Sequence, residues 1–202
     1  MSEHMALENL TVLDLTRVLA GPFCTMMLAD MGANVIKIEV PKGGDDTRSY
    51  PPFRAKNLNG ERESVYFANI NRNKKGITLN LKAPEGKEIF KELVKKADIV
   101  VENYRPGVMD KLGLGYDVLK EINPRIIYAA VSGFGCYGPY HLRPGYDILA
   151  QAMGGMMSIT GSKGGEPTRA GSALGDILGG LHVTIGILAA VNARTKIGRA
   201  HV

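Results

Sequence analysis

Residues 11–40 constrain the fold more than any other stretch. Residues 11–16, Thr-Val-Leu-Asp-Leu-Thr, read as a strand apolar enough to be buried on both faces. A helix over 23–31 follows, with Pro22 near its first turn and Gly32 as its stop. Residues 33–40 form a second strand. Two strands joined through a helix lie parallel, with a right-handed crossover. The chain is thereby committed to a parallel sheet covered by helices.

The rest of the chain repeats this alternation. Residues 41–64 have the composition of a long loop, of a length that is usually functional or mobile. Order resumes at 65–71, and a strand over 77–81 leads to an amphipathic helix over 84–96. In that helix Glu85 and Glu88 come early and Lys95 and Lys96 late, which suits the helix dipole. Then come a strand at 98–103, short helices at 109–112 and 116–122, a strand at 125–132, and a helix over 145–155 with Asp147 as its cap. Four or five parallel strands alternate with helices, without an internal repeat. The expected fold is α/β: a doubly wound, mainly parallel Rossmann-like sheet with helices on both faces.

Such an opening suggests a dinucleotide site, with Glu39 as the ribose-binding acid. The turn after the first strand carries Gly21 alone, so the GxGxxG pyrophosphate cradle is lacking. What remains is a general anion site at a helix N-terminus. The formal charge of +5 comes from 25 basic and 20 acidic residues, with no basic run of five. That argues against a nucleic-acid partner and suits a discrete phosphate-bearing ligand. Cys24 and Cys136 have no metal-ligand spacing and read as buried thiols in a reducing compartment. The four histidines (4, 141, 182 and 201) are scattered, so no metal is expected, and His182 reads as a core histidine. Residues 1–6 lack the layout of a signal peptide. The apolar run at 177–191 is short of a membrane span. A cytoplasmic protein without a membrane partner is expected.

The stretch most suggestive of chemistry is Ala-Leu-Gly-Asp (173–176), which places Asp176 at the start of that uncharged run, itself read as a buried helix. Two readings stand side by side here. Asp176 is an N-cap for the first turn, or it is a carboxylate nucleophile beside glycines that admit a bulky substrate.

Six motifs stand in register: Leu-Asp-Leu-Thr-Arg-Val-Leu-Ala-Gly-Pro (13–22), Gly-Ala-Asn-Val-Ile-Lys-Ile-Glu (32–39), Asn-Arg-Asn-Lys-Lys-Gly (71–76), Val-Glu-Asn-Tyr-Arg-Pro-Gly (101–107), Arg-Pro-Gly-Tyr-Asp (143–147) and Ala-Leu-Gly-Asp (173–176). Together they closely resemble the class III coenzyme A transferases, the group that includes formyl-CoA and carnitine CoA-transferases. The resemblance runs from Leu7 to Lys196. It implies that Asp176 is the catalytic aspartate of an acyl-CoA:carboxylate CoA-transferase, working through a mixed anhydride and an aspartyl-CoA thioester. Coenzyme A or acyl-CoA is then the substrate, with a carboxylic acid as acceptor and no metal.

The same resemblance implies CoA contacts. Val18, Leu19 and Ala20 fall along the CoA, and Ile70, Arg72 and Lys74 near the nucleotide. Asn103, Tyr104 and Arg105 fall near the pantetheine and phosphates, and Lys111 on a position that is basic in some members. Val40 and Leu19 depart from the Arg and Gln of formyl-CoA transferases, which argues against formyl-CoA specificity. The α-methylacyl-CoA racemases are the alternative, but Tyr146 stands where they carry a His, and a tyrosine is a poor base at neutral pH.

Family members are longer, with a second, smaller domain, and pair as interlocked homodimers. By that measure residues 7–196 are an incomplete large domain after an extension at 1–6, and the smaller domain is absent. Residues 197–202 read as a non-native tail. An inactive CoA-binding fragment is therefore a further alternative.

Overall fold

The computed structural model describes residues 4–56, 60 and 62–197. Residues 198–202, most of the suspected tail, lie outside the described residues.

Five strands form one all-parallel sheet: β1 (Thr11–Asp14), β2 (Asn34–Glu39), β3 (Lys75–Thr78), β4 (Ile99–Glu102) and β5 (Ile127–Ala130). Their spatial order is β3-β2-β1-β4-β5. The chain runs outward from β1 to β3, then returns to the other side of β1 for β4 and β5. The order reverses between β1 and β4, paired with Val12 opposite Ile99 and Asp14 opposite Val101. A crevice opens at such a reversal, beyond the carboxyl ends of the strands.

Period-two alternation sends neighbouring side chains to opposite faces. Val12, Ile99 and Val101 enter one core with Cys24 and Leu28 of α1 (Ala20–Asp30) and Ile187 and Ala190 of α7 (Leu174–Ile197). Leu13 and Val100 enter the other, with Phe90 and Val94 of α3 (Pro84–Val94), Met109 of α4 (Val108–Leu112) and Leu119 of α5 (Tyr116–Ile122). Helices thus cover both faces, as the alternation requires.

Several elements differ from expectation. Helix α1 begins three residues early, at Ala20, so Pro22 sits inside its first turn. The strand expected at 77–81 is β3, shifted toward the N-terminus, and all four of its residues are exposed. It is an edge strand, where no buried face marks the register. The ladder still reaches past it, since Leu79 N–H donates to the Glu39 carbonyl at 2.8 Å. Residues 65–71 contain α2 (Val65–Ile70), capped by the Ser64 hydroxyl, which accepts from Phe67 N–H. The loop before it holds a 3₁₀ turn (Asp46–Ser49) and an antiparallel bridge between Phe53 and Ser64. Cys136 is exposed, not a buried thiol.

The largest correction concerns α7. It is longer than the apolar run, and by length and composition it is able to cross a membrane, but only 22% of that segment is buried. One side packs on α1 and the sheet through Ile187 and Ala190, while Leu178, Leu181 and Ile185 are exposed. His182 is exposed too, with Nδ1 2.7 Å from the Leu178 carbonyl.

Candidate active site

The crevice between β1 and β4 is walled by two turns that hold each other. Asn103, just past β4, accepts from Arg17 N–H through Oδ1 at 2.8 Å and donates through Nδ2 to the Arg17 carbonyl at 2.7 Å. Behind the turn, Asp14 Oδ1 accepts from Thr16 N–H at 2.9 Å, and Lys37 Nζ donates to the Thr16 carbonyl at 2.9 Å. Val18 has φ 69°, a left-handed conformation that costs a β-branched residue on the order of 1–3 kcal/mol. Its N–H is met by Asp45 Oδ1 at 3.2 Å, and Asp45 Oδ2 is paired with the buried Lys37 ammonium at 2.9 Å. Every polar backbone group of this wall named here is met by a side chain behind it.

Helix α1 starts at the end of that turn with no side-chain cap bond and no acid in its first turn. Helix α7 packs against it, for a Cβ on Gly180 would lie 2.6 Å from the Ala20 carbonyl oxygen. The first turn of α7, through Gly175 and Asp176, lines the same cavity as Ala20. Two positive helix ends therefore face the crevice, where they favour anions.

Asp176 lies inside the first turn of α7, one residue after Gly175. It does not act as a cap: Asp147, the first residue of α6 (Asp147–Met153), reaches across and accepts from Gly175 N–H at 2.8 Å. Asp147 was expected to cap its own helix, where Tyr146 instead occupies the N-cap position without a side-chain bond. Asp176 is half-buried and opens into a cavity of about 650 Å³. Burial, and then the charge of Asp147, hold its carboxyl above the ordinary carboxylate range.

Val18, Leu19, Ala20, Asn103, Tyr104 and Arg105 line that same cavity. Four other expected contacts lie elsewhere. Lys74 is 2% exposed, and its ammonium donates to Asp14 Oδ2 at 3.0 Å, the Pro22 carbonyl at 3.0 Å and Asn71 Oδ1 at 2.9 Å. All three of its protons are used inside the protein. Arg72 pairs with Asp30 at 2.5 Å, at the far end of α1 and about 15 Å from its first residue at 1.5 Å per residue. Ile70 is buried at the end of α2, and Lys111 is exposed on α4, outside the cavity lining. Arg17, Arg143 and Asp147 line the cavity and were not singled out as site residues, although all three stand inside the recurring motifs. Among the described residues no cluster of His, Cys, Asp or Glu is arranged to hold a metal ion.

Glu102 sits directly beneath the second wall. It is 7% exposed; its Oε2 accepts from Tyr104 N–H at 2.7 Å, and its Oε1 accepts from the Tyr128 hydroxyl at 3.2 Å. Burial outweighs both bonds and lifts its pKa from 4.5 to about 7. The folded protein therefore holds this proton more tightly than the unfolded chain does, so the contribution of Glu102 is fully present below about pH 4.5 and is lost as pH rises through 7. Glu102→Gln is expected to raise the melting temperature at pH 8 and to leave it unchanged at pH 4.5, as read by thermal denaturation across pH. An equal shift at both values would refute the assignment.

The family model for CoA-transferase family III matches residues 7–202. The chain is 51% identical over 200 residues to an acyl-CoA transferase of Fusarium pseudograminearum, covering 98% of this chain and 44% of the relative. It is 49% identical to an acetyl-CoA:oxalate CoA-transferase of Acetobacter aceti, covering 96% of this chain and 49% of the relative. The solved structure of a CAIB/BAIF family protein from Brucella suis superposes with a TM-score of 0.93 at 44% identity, covering 98% of this chain and 52% of that one. The chain thus spans about half the length of the relatives it matches.

Proposed function

Because the chain belongs to CoA-transferase family III, we propose that it carries the nucleophile and much of the CoA-binding wall of an acyl-CoA:carboxylate CoA-transferase. One observation carries this reading. The Asp176 carboxylate makes no side-chain hydrogen bond or ion pair among the described residues, and it opens, with two helix N-termini beside it, into a cavity walled by residues 18–20 and 103–105.

In the proposed reaction an oxygen of Asp176 attacks the thioester carbonyl of a bound acyl-CoA. The carbon–sulfur bond breaks, its electron pair leaves on CoA as thiolate, and a mixed anhydride remains on Asp176. The thiolate then attacks the aspartyl carbonyl, releasing the donor acid as a carboxylate and leaving an aspartyl-CoA thioester. An acceptor carboxylate attacks that thioester, expelling the thiolate and forming a second mixed anhydride. The thiolate then attacks the acceptor's carbonyl, giving the acceptor's CoA thioester and releasing the Asp176 carboxylate. Each step exchanges one activated carboxyl for another, so no external energy source is needed. In the first turn of α1 Pro22 has no N–H and Phe23 N–H donates to the Leu19 carbonyl at 2.8 Å, so the amides of Ala20 and Gly21 are the donors offered to the developing oxyanions. Arg105 and Arg143, beside an Arg17 that is paired with Asp46, give the cavity wall a positive charge suited to the CoA phosphates.

Incubation with an acyl-CoA followed by peptide mass spectrometry is expected to show CoA joined to Asp176 as a thioester, and no adduct in Asp176→Ala. An adduct that survives this substitution, or none in the unaltered protein, would reject the reading. Exchange of an α-proton for deuterium without an adduct would favour the racemase alternative.

A further inference from the structure

We propose that Asp147 is a positioning residue of this site: it fixes the first turn of α7, and with it the Asp176 side chain, and its charge favours moving negative charge off Asp176. The inference rests on Asp176 being the nucleophile.

The geometry is a small relay between α6 and α7. Asp147 Oδ1 accepts from Gly175 N–H at 2.8 Å, and its Oδ2 accepts from Gln151 Nε2 at 2.8 Å. Gln151 in turn accepts from Ala170 N–H through Oε1 at 2.8 Å, and its Nε2 lies 3.3 Å from the Ser172 carbonyl. The segment leading into α7 is thus gripped at residues 170, 172 and 175. Glycine at 175 is required by the approach, since a Cβ there would lie 2.8 Å from Ala150 Cβ and 3.2 Å from Asp147 Oδ1. Residue 147 must accept on both oxygens, from Gly175 and from Gln151. A carboxylate does this, whereas an asparagine would present a donor to a donor.

The donors that hold Asp147 are an amide N–H and a side-chain amide, both neutral, and among the described residues no Lys or Arg forms an ion pair with it. Its charge is therefore felt by its neighbour. The groups facing Asp176 are Asp147 from α6 and Tyr66 from α2, whose hydroxyl is raised by burial and then by Asp176. Arg17, Arg105 and Arg143 complete the wall. In the free protein two carboxylates repel. When Asp176 attacks, a new carbon–oxygen bond forms, the carbon–sulfur bond breaks, and the negative charge leaves on sulfur. Acylation of Asp176 therefore relieves the repulsion from Asp147.

The test uses the unaltered protein, Asp147→Ala, and the exchanged pair Asp147→Asn with Gln151→Glu. The exchanged pair keeps donor and acceptor matched between 147 and 151 and at Gly175 and Ala170, gives up only the 3.3 Å contact with the Ser172 carbonyl, and moves the charge one turn along α6. Two readouts are needed: the carboxyl ¹³C titration of Asp176 and the amide hydrogen exchange of Gly175. Asp147→Ala is expected to speed Gly175 exchange about tenfold, the effect of one lost hydrogen bond, and to lower the Asp176 midpoint. The exchanged pair is expected to keep Gly175 protected and still lower the midpoint. An unchanged midpoint in the exchanged pair, or unchanged Gly175 exchange in Asp147→Ala, would overturn the proposal. If Asp147→Ala does not fold, the exchanged pair decides alone. Neither readout requires acyl-CoA. A missing CoA adduct rejects the nucleophile, whereas an adduct with unmoved midpoints rejects only the role of Asp147.

Discussion

A Lys74→Ala variant is expected to lose about 3–5 kcal/mol of folding stability, the usual consequence of removing one partner from a buried ion pair. The Asp14 carboxylate it would abandon is fully buried at the end of β1. Burial alone would raise the pKa of Asp14, but Lys74, Lys37 and the hydroxyls of Thr16 and Thr25 together hold it below the ordinary value. An acid with a depressed folded-state pKa stabilises above its unfolded pKa and loses that contribution as pH falls through the folded value. In the variant Asp14 loses its nearest cation and takes up a proton more readily, so the gap between wild type and variant should narrow as pH falls toward 4. Urea unfolding at pH 7 and pH 4 measures both. The resemblance-based role of Lys74 as a nucleotide contact predicts the opposite pattern: weaker CoA binding at unchanged stability. A loss under about 1 kcal/mol at pH 7 would favour that role over the structural one.

Gly180→Val is the second large effect. The added Cβ would meet the Ala20 carbonyl oxygen at 2.6 Å and the Phe23 ring at 3.2 Å. That oxygen belongs to the first turn of α1, which follows the clamped turn at residues 16–18, so neither helix can yield without disturbing the wall of the cavity. Overpacking of this kind costs about 1–3 kcal/mol, and the contact with backbone places Gly180→Val at the upper end of that range. The adjacent glycine supplies the contrast. Gly179 lines the cavity with nothing within 4 Å of an added Cβ. Gly179→Ala should therefore gain up to about 1 kcal/mol from helix propensity while narrowing the space beside Asp176. Thermal melts of the two variants should move in opposite directions, and a shared sign would contradict the packing described.

How much of this could be read from the chain depended on whether a residue's partners were near in sequence. Strands β1 and β4 were legible because they are buried on both faces and carry consecutive apolar residues, Val12-Leu13 and Ile99-Val100-Val101. The edge strand β3 was misplaced because nothing buries either of its sides. Helix α7 was read as enclosed because it is apolar all round; only the fold reveals that one flank is left open. Residues 18–20, 103–105 and 176, named from the resemblance, line one cavity. Lys74 could not be placed from sequence, since a lysine in a polar turn reads as a solvated charge, and its counter-ion lies sixty residues away. Asp147 was recognised as a capping residue but assigned to the wrong helix, because the amide it serves lies 28 residues further on.

The turn at residues 16–18 is gripped from the rear by Asp14, Lys37, Asp45 and Asn103. None of these bonds uses the side chains of Leu19 and Ala20, which line the cavity. Mounting and lining are separate parts in this molecule. Leu19 and Ala20 can therefore be exchanged without removing any bond that holds the turn, so the lining is free to change while the frame stays.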